Sequence, residues 1–130
     1  MKFRKVDGIM TGKIANVPVL ALLLDIRMSQ QKAGKLIACL EALEQEYNSE
    51  LDKLEDFKVE IIQKYGNEKE KKKNVLNVTN PNYKLAQEEI SKYYEELGEK
   101  EMSVIIDIDF EDIQVSPLQK RALDLLVNVD

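Results

Sequence analysis

The sequence predicts a mainly helical α+β fold: a long antiparallel helical hairpin with a small β-sheet and a C-terminal helix. Three observations predict it. From Ala33 to Ile61 the apolar residues recur at alternating steps of three and four, the narrow seam of a coiled-coil-like helix. A second stripe of that spacing follows at Tyr83, Ala86, Ile90, Tyr93 and Leu97. Between Met102 and Phe110, in MSVIIDIDF, the period falls to two, as in a strand with one packed face and one wet face.

Taken in order, the first residues, KFRKV before Asp7 and Gly8, suit a short edge strand and a turn. Asn16 and Pro18 then precede ALLLDI as a helix-start signal, because proline in the first turn gives up no helical hydrogen bond. A short buried helix is expected to about Ile26. Ser29 can cap a new helix by accepting from a free backbone N–H, and the seam Ala33, Leu36, Leu40, Leu43, Tyr47, Leu54, Phe57 and Ile61 runs along it, with Glu50 its only break.

That helix, about residues 30–65, should stop at Tyr65-Gly66, where glycine can turn left-handed and free the last carbonyls to find partners. At a rise of 1.5 Å per residue it is ~50 Å long and needs a neighbour. Thr79-Asn80-Pro81 and Leu97-Gly98 bound one at about 80–97, ~25 Å in length, which covers only half of the long helix. The other half must pack elsewhere.

Between these helices the charged run Lys69–Lys73 reads as a solvated loop, and NVLNV at 74–78 as a β-prone segment. In the strand at about 103–110, Val104, Ile106, Ile108 and Phe110 share the packing face; Ser103, Ile105, Asp107 and Asp109 share the wet one. Ser116-Pro117 opens a last helix, about 117–127, whose stripe of Leu118, Ala122, Leu125 and Leu126 would cover the apolar N-terminal helix.

The chain of 130 residues fits a single domain over 1–130. Its charged fraction of 33% exceeds the usual quarter and favours helices with long solvated faces. A net charge of −5 argues against non-specific nucleic-acid binding, which needs a basic face. The apolar run Val17–Leu24 is less than half of the ~20 residues that span a bilayer, so no membrane association is expected. Cys39 stands alone and can close no intramolecular disulfide; burial beside the seam is its expected place.

The acidic ladder of Asp107, Asp109 and Glu111 is the strongest candidate for chemistry. Hard cations want several oxygen ligands, but Asp107 and Asp109 on one strand face sit ~7 Å apart and would need further ligands from elsewhere. Solvent exposure is the expected role, since acids on a wet face also discourage edge-to-edge pairing. The chain holds no histidine, the commonest general base and zinc ligand. Gly8 and Gly12 lack the lysine–serine/threonine ending of a phosphate loop. No catalytic residue, resident metal or cofactor is expected; a divalent-cation-dependent nuclease at the acidic ladder is the outlying alternative.

The stretch LLDIRMSQQKAGKLIACLEALEQEY, the KVEIIQKYG that follows, the acid–hydrophobic strand and EDIQVSPLQKRALDLL together resemble a family of small phage and prophage proteins of unknown function. The resemblance covers Leu23 to Val127. Members carry a proline where this chain has Ser29, and their N-termini differ. The resemblance implies viral origin and an intracellular stage of action, with no activity attached. The expectation is thus a non-enzymatic module acting in the host cytoplasm on a host or phage protein. Its partner face would comprise Leu36, Leu40, Leu43 and Tyr47 on the long helix, with Tyr94 at the edge of the second stripe. The alternative is a virion or assembly component that binds its own copies through the Leu36, Leu40, Leu43 face.

Overall fold

A computed structural model describes residues 1–127. The elements in chain order are α1 (Phe3–Thr11), β1 (Lys13–Ile14), β2 (Val17–Pro18), α2 (Val19–Leu24), α3 (Gln30–Tyr65), α4 (Glu68–Lys73), α5 (Tyr83–Gly98) and α6 (Pro117–Val127). The fold is mainly helical α+β, with the long helix, the small sheet and the C-terminal helix that the sequence predicts. Where composition suggests one core, the chain divides into two compact units, Met1–Tyr47 with Glu99–Asp130, and Asn48–Gly98. No helix among the described residues is long and apolar enough to cross a membrane.

In the first unit the N-terminal residues form a helix, α1, and not the expected edge strand. Phe3, Val6 and Ile9 are buried at steps of three, so the helical period decides the local structure and Gly8 is carried inside the helix despite its propensity cost. The two-stranded antiparallel sheet follows instead, pairing Lys13 with Pro18 and Ile14 with Val17. Its two-residue turn places Ala15 at φ 49° and Asn16 at φ 65°, the pair of positive values that matches the right-handed twist of a tight hairpin. Pro18 ends β2 and leads directly into α2, which buries Val19, Leu22 and Leu23. The last helix, α6, packs on α2, as the sequence suggests, although Leu123 joins Ala122 and Leu126 in the core while Leu125 is exposed.

The first half of α3 belongs to this unit. Ser29 caps it, its hydroxyl accepting from the Lys32 N–H at 3.2 Å. Leu36, Leu40, Leu43 and Tyr47 are all buried. The Tyr47 ring stacks on Phe3 at 5.2 Å between centroids, and its hydroxyl donates to Asp7 Oδ1 at 2.5 Å. The half of the long helix that α5 cannot reach is therefore buried in the first unit and tied to α1 at Tyr47.

The second unit is the hairpin. Phe57 of α3 stacks on Tyr93 of α5 at 4.5 Å, and Lys64, farther along α3, pairs with Glu89, earlier in α5, at 3.0 Å. That order of contacts is antiparallel. Leu54 and Ile61 of α3 and Ala86 and Leu97 of α5 are buried. Gly66 ends α3, but no glycine has a positive φ. Close approach explains its place better: a Cβ there would lie 2.6 Å from the Ile62 carbonyl oxygen, which its own N–H bonds at 2.7 Å.

The expected loop at Lys69 is the helix α4, and NVLNV forms turns and no strand. Asn67 and Glu70 explain both. The Asn67 side chain accepts from the Glu70 N–H at 2.9 Å while Glu70 returns the bond to the Asn67 N–H at 3.1 Å, a capping box. Asn74 then stops α4 in the left-handed conformation. The second hairpin helix starts at Tyr83, later than expected, because the Asn80 side chain is used in a turn: its Oδ1 accepts from the Asn82 N–H at 2.8 Å.

The expected strand at 103–110 forms no sheet. A single antiparallel bridge, Lys2 with Glu101, precedes it. The period of two nevertheless survives in the burial: Val104, Ile106, Ile108 and Phe110 are half-buried, while Ser103, Ile105, Asp107 and Asp109 are exposed.

Candidate interaction surface

The expected partner face on α3 is not available. Leu36, Leu40, Leu43 and Tyr47 lie between 0% and 7% exposed, packed within the first unit. The seam is buried within its own unit, where Tyr47 meets Phe3 and Asp7 of α1, a helix the sequence does not predict. Tyr94 remains on the surface at 50% exposure, beside the stacked Tyr93. Cys39 is only half-buried, and desolvation pushes its thiol pKa up, which lowers its thiolate fraction.

Asp107, Asp109 and Glu111 are exposed. Asp109 is committed locally, its Oδ1 accepting from the Glu111 N–H at 2.9 Å in a tight turn. Among the described residues no group of three or more histidine, cysteine, aspartate or glutamate side chains is placed to hold a metal ion. The ladder does not converge, because alternation along an extended chain spaces its carboxylates along one edge.

The segment that carries them is the most unusual surface of the first unit. It is held at its entrance, where the Met102 N–H bonds the Met1 carbonyl at 2.7 Å and the Ser103 N–H and hydroxyl both bond the Glu46 carboxylate, at 2.8 and 2.9 Å. Toward its exit the segment turns on itself, the Ile113 N–H bonding the Phe110 carbonyl at 3.2 Å. Beyond the entrance, no backbone–backbone hydrogen bond joins residues 104–109 to any other described residue. Ile105 is 83% exposed. A groove of ≈ 440 Å³ runs beside Val104, Ile105 and Ile106, walled by Met1, Met102 and Leu126.

A signal for this surface was present in the sequence. Ile105 falls on the face that the alternation assigns to water, between Ser103 and Asp107; a β-branched aliphatic residue there has no reason in solubility. Its neighbour Ile106, expected at the core, is half-buried. Truncating Ile106 to alanine should therefore cost about 1 kcal/mol, since ~0.8 kcal/mol per methylene applies to full burial. Urea denaturation followed by circular dichroism would measure it; a loss of ~3 kcal/mol or more would place Ile106 in the close-packed core.

The second unit carries a cleft of ≈ 450 Å³ between α3 and α5, with Phe57, Ile61 and Tyr93 on its walls. Glu89 closes one side. Its Oε1 accepts from both Lys64, at 3.0 Å, and the Tyr65 hydroxyl, at 3.1 Å, and the Lys64 hydrogen bond leads in holding the carboxyl below the ordinary range.

Comparison with protein-family models, with curated proteins and with solved structures finds no match to this chain.

Proposed function

We propose that this chain is a non-enzymatic protein-interaction module, encoded by a phage or prophage and acting inside the host cell on a host or phage protein. The observation that carries the reading is Ile105, a large aliphatic side chain left 83% exposed on a segment anchored at its entrance by Met102 and Ser103. Isolated exposed aliphatic residues are ordinary, but this one stands in a stretch of backbone that has no backbone hydrogen bond to any other described residue and opens beside a groove with Met1, Met102 and Leu126 on its wall. The carboxylates of the acidic ladder are exposed and are not grouped to hold a metal among the described residues, and the resemblance to small phage proteins supports the setting.

An assembly role through the Leu36, Leu40, Leu43 face fits less well, because burying those residues between copies would require the first unit to open. The test is affinity capture with the tagged full-length chain from prophage-bearing cells, competed with excess untagged chain. A protein recovered specifically and displaced by the competitor is the expected result. Recovery of nothing that the competitor displaces would sink the interaction reading.

A further inference from the structure

We infer that residues 104–110 are a docking edge for an extended segment of a partner protein, which adds as a β-strand and presents lysine or arginine at alternate positions. The inference rests on the interaction reading above and adds to it a surface and the chemistry of the partner.

The backbone comes first. A row of N–H and C=O groups with no partner in the chain is the feature that strand addition uses, main-chain bonds giving affinity and alternate side chains giving specificity. Among the described residues, 104–109 present such a row, and their side chains already alternate between half-buried and exposed as those of a strand do. The anchors at Met102 and Ser103 and the turn that joins Phe110 to Ile113 restrict the segment before any partner arrives. Ordering it on binding therefore costs less than ordering a free loop.

The side chains then select the occupant. An incoming strand that lies along Val104–Ile106 directs one set of alternate residues toward the groove, where Met1, Met102 and Leu126 form an apolar side that suits small or β-branched groups and Lys2, Lys5 and Glu101 line the rest. Its other set lies on the outward face beside Ile105, Asp107 and Asp109, with Glu111 and Asp112 exposed just beyond. Opposite charges across neighbouring strands stabilise the pairing and like charges destabilise it. The basic groups nearest the groove are already engaged within the chain, Lys2 with Glu99 at 2.9 Å and Lys5 with partners of its own, so the acids await a cation from outside.

A second copy of this chain is a poorer occupant for the same reason. Laid antiparallel with Val104 opposite Phe110, the segment sets Asp107 directly against its own copy, a like-charge pair that natural edges use to prevent self-association.

The experiment uses the full chain and a fluorescent, end-capped peptide of alternating lysine and valine, with two controls. One control carries N-methyl groups on alternate backbone amides; the other has glutamate for lysine. Saturable binding of the parent peptide is expected, with slowed hydrogen exchange at the amides of residues 104–109. Both controls and the Asp107→Lys, Asp109→Lys double variant should bind weaker by about tenfold or more, the sum of two cross-strand charge pairs and their reversal. Equal binding of the methylated peptide would reduce the effect to charge attraction and overturn the inference, as would protection confined to other residues. The variant Ile105→Pro, which removes one donor at an exposed position, separates this proposal from the reading beneath it. A cellular partner retained in full by that variant overturns the docking edge and leaves the interaction reading standing.

Discussion

Replacing Leu43 by alanine should lower the stability of the chain by ~2–5 kcal/mol, the largest loss expected from any single truncation on α3. Leu43 has no exposed surface, and it sits one helical turn before Tyr47, whose ring and hydroxyl tie α3 to α1 through Phe3 and Asp7. Deleting its isobutyl group removes transfer energy and leaves a cavity that a helix, fixed by its own hydrogen bonds, closes only in part. Ile37, on the same helix and 48% exposed, is the control: its truncation should cost ~1 kcal/mol or less. Urea titrations of both variants, run at two protein concentrations, decide the matter. If Leu43 faced a second chain, Leu43→Ala would behave like Ile37→Ala in the monomer and shift only the concentration dependence. That outcome would remove the first unit's core as described.

The contrast between Leu43 and Ile105 shows how far the fold is legible in the chain. Everything α3 needs is local: the seam lies within the helix and the Ser29 cap and the crowded Gly66 flank it directly, so a linear reading finds both ends. What covers the seam is not local. Asp7-Gly8 looks like a turn because both residues favour one, yet Phe3, Val6 and Ile9 repeat at a helical step, and burial against α2 and α6, with Phe3 on Tyr47, outweighs the propensity cost. Missing α1 left the seam seemingly bare and made Leu36, Leu40, Leu43 and Tyr47 look like a partner surface.

The segment 103–110 gave the opposite mixture. Alternation fixes which side chains turn inward, and the structure keeps those faces. Alternation says nothing of whether a neighbouring strand exists, because pairing depends on residues distant in sequence. The candidate surface is thus the place where a strand pattern lacks its strand partner, and Ile105 was its one visible mark. In the second unit, α4 was hidden by composition. A run of lysines suggests solvation, while the signal that starts the helix is Asn67 with Glu70 three residues later, a capping pair of the kind that usually reads serine or threonine with glutamate.

Glu70 leads to the second large expected effect. It is only 3% exposed, and both of its oxygens accept: Oε1 from the Asn67 N–H at 3.1 Å and from Asn80 Nδ2 at 2.9 Å, Oε2 from the Asn77 N–H at 2.6 Å. One carboxylate therefore fixes the start of α4, the turns after it and the entry to α5. Glutamine cannot replace it, because an amide offers one accepting oxygen and sets an NH₂ against a donor whichever way it is turned. Glu70→Gln should accordingly melt well below the wild type at neutral pH, nearly as low as Glu70→Ala. The same bonds, that from Asn77 foremost and then that from Asn67, hold the Glu70 carboxyl below its ordinary range. A carboxyl depressed in the folded state contributes stability that is complete above the unfolded value, ~4.3, and is lost as the pH falls through the folded one. Glu89 and Glu99 are also held low, chiefly by Lys64 and Lys2, so a global acid melt mixes three groups and a local probe is needed. The Asn77 amide resonance should titrate with a midpoint below the ordinary carboxylate range in the wild type and show no such step in Glu70→Gln. A flat Asn77 titration in the wild type, or a Glu70→Gln chain that melts with the wild type at neutral pH, would show that the turn does not depend on this carboxylate.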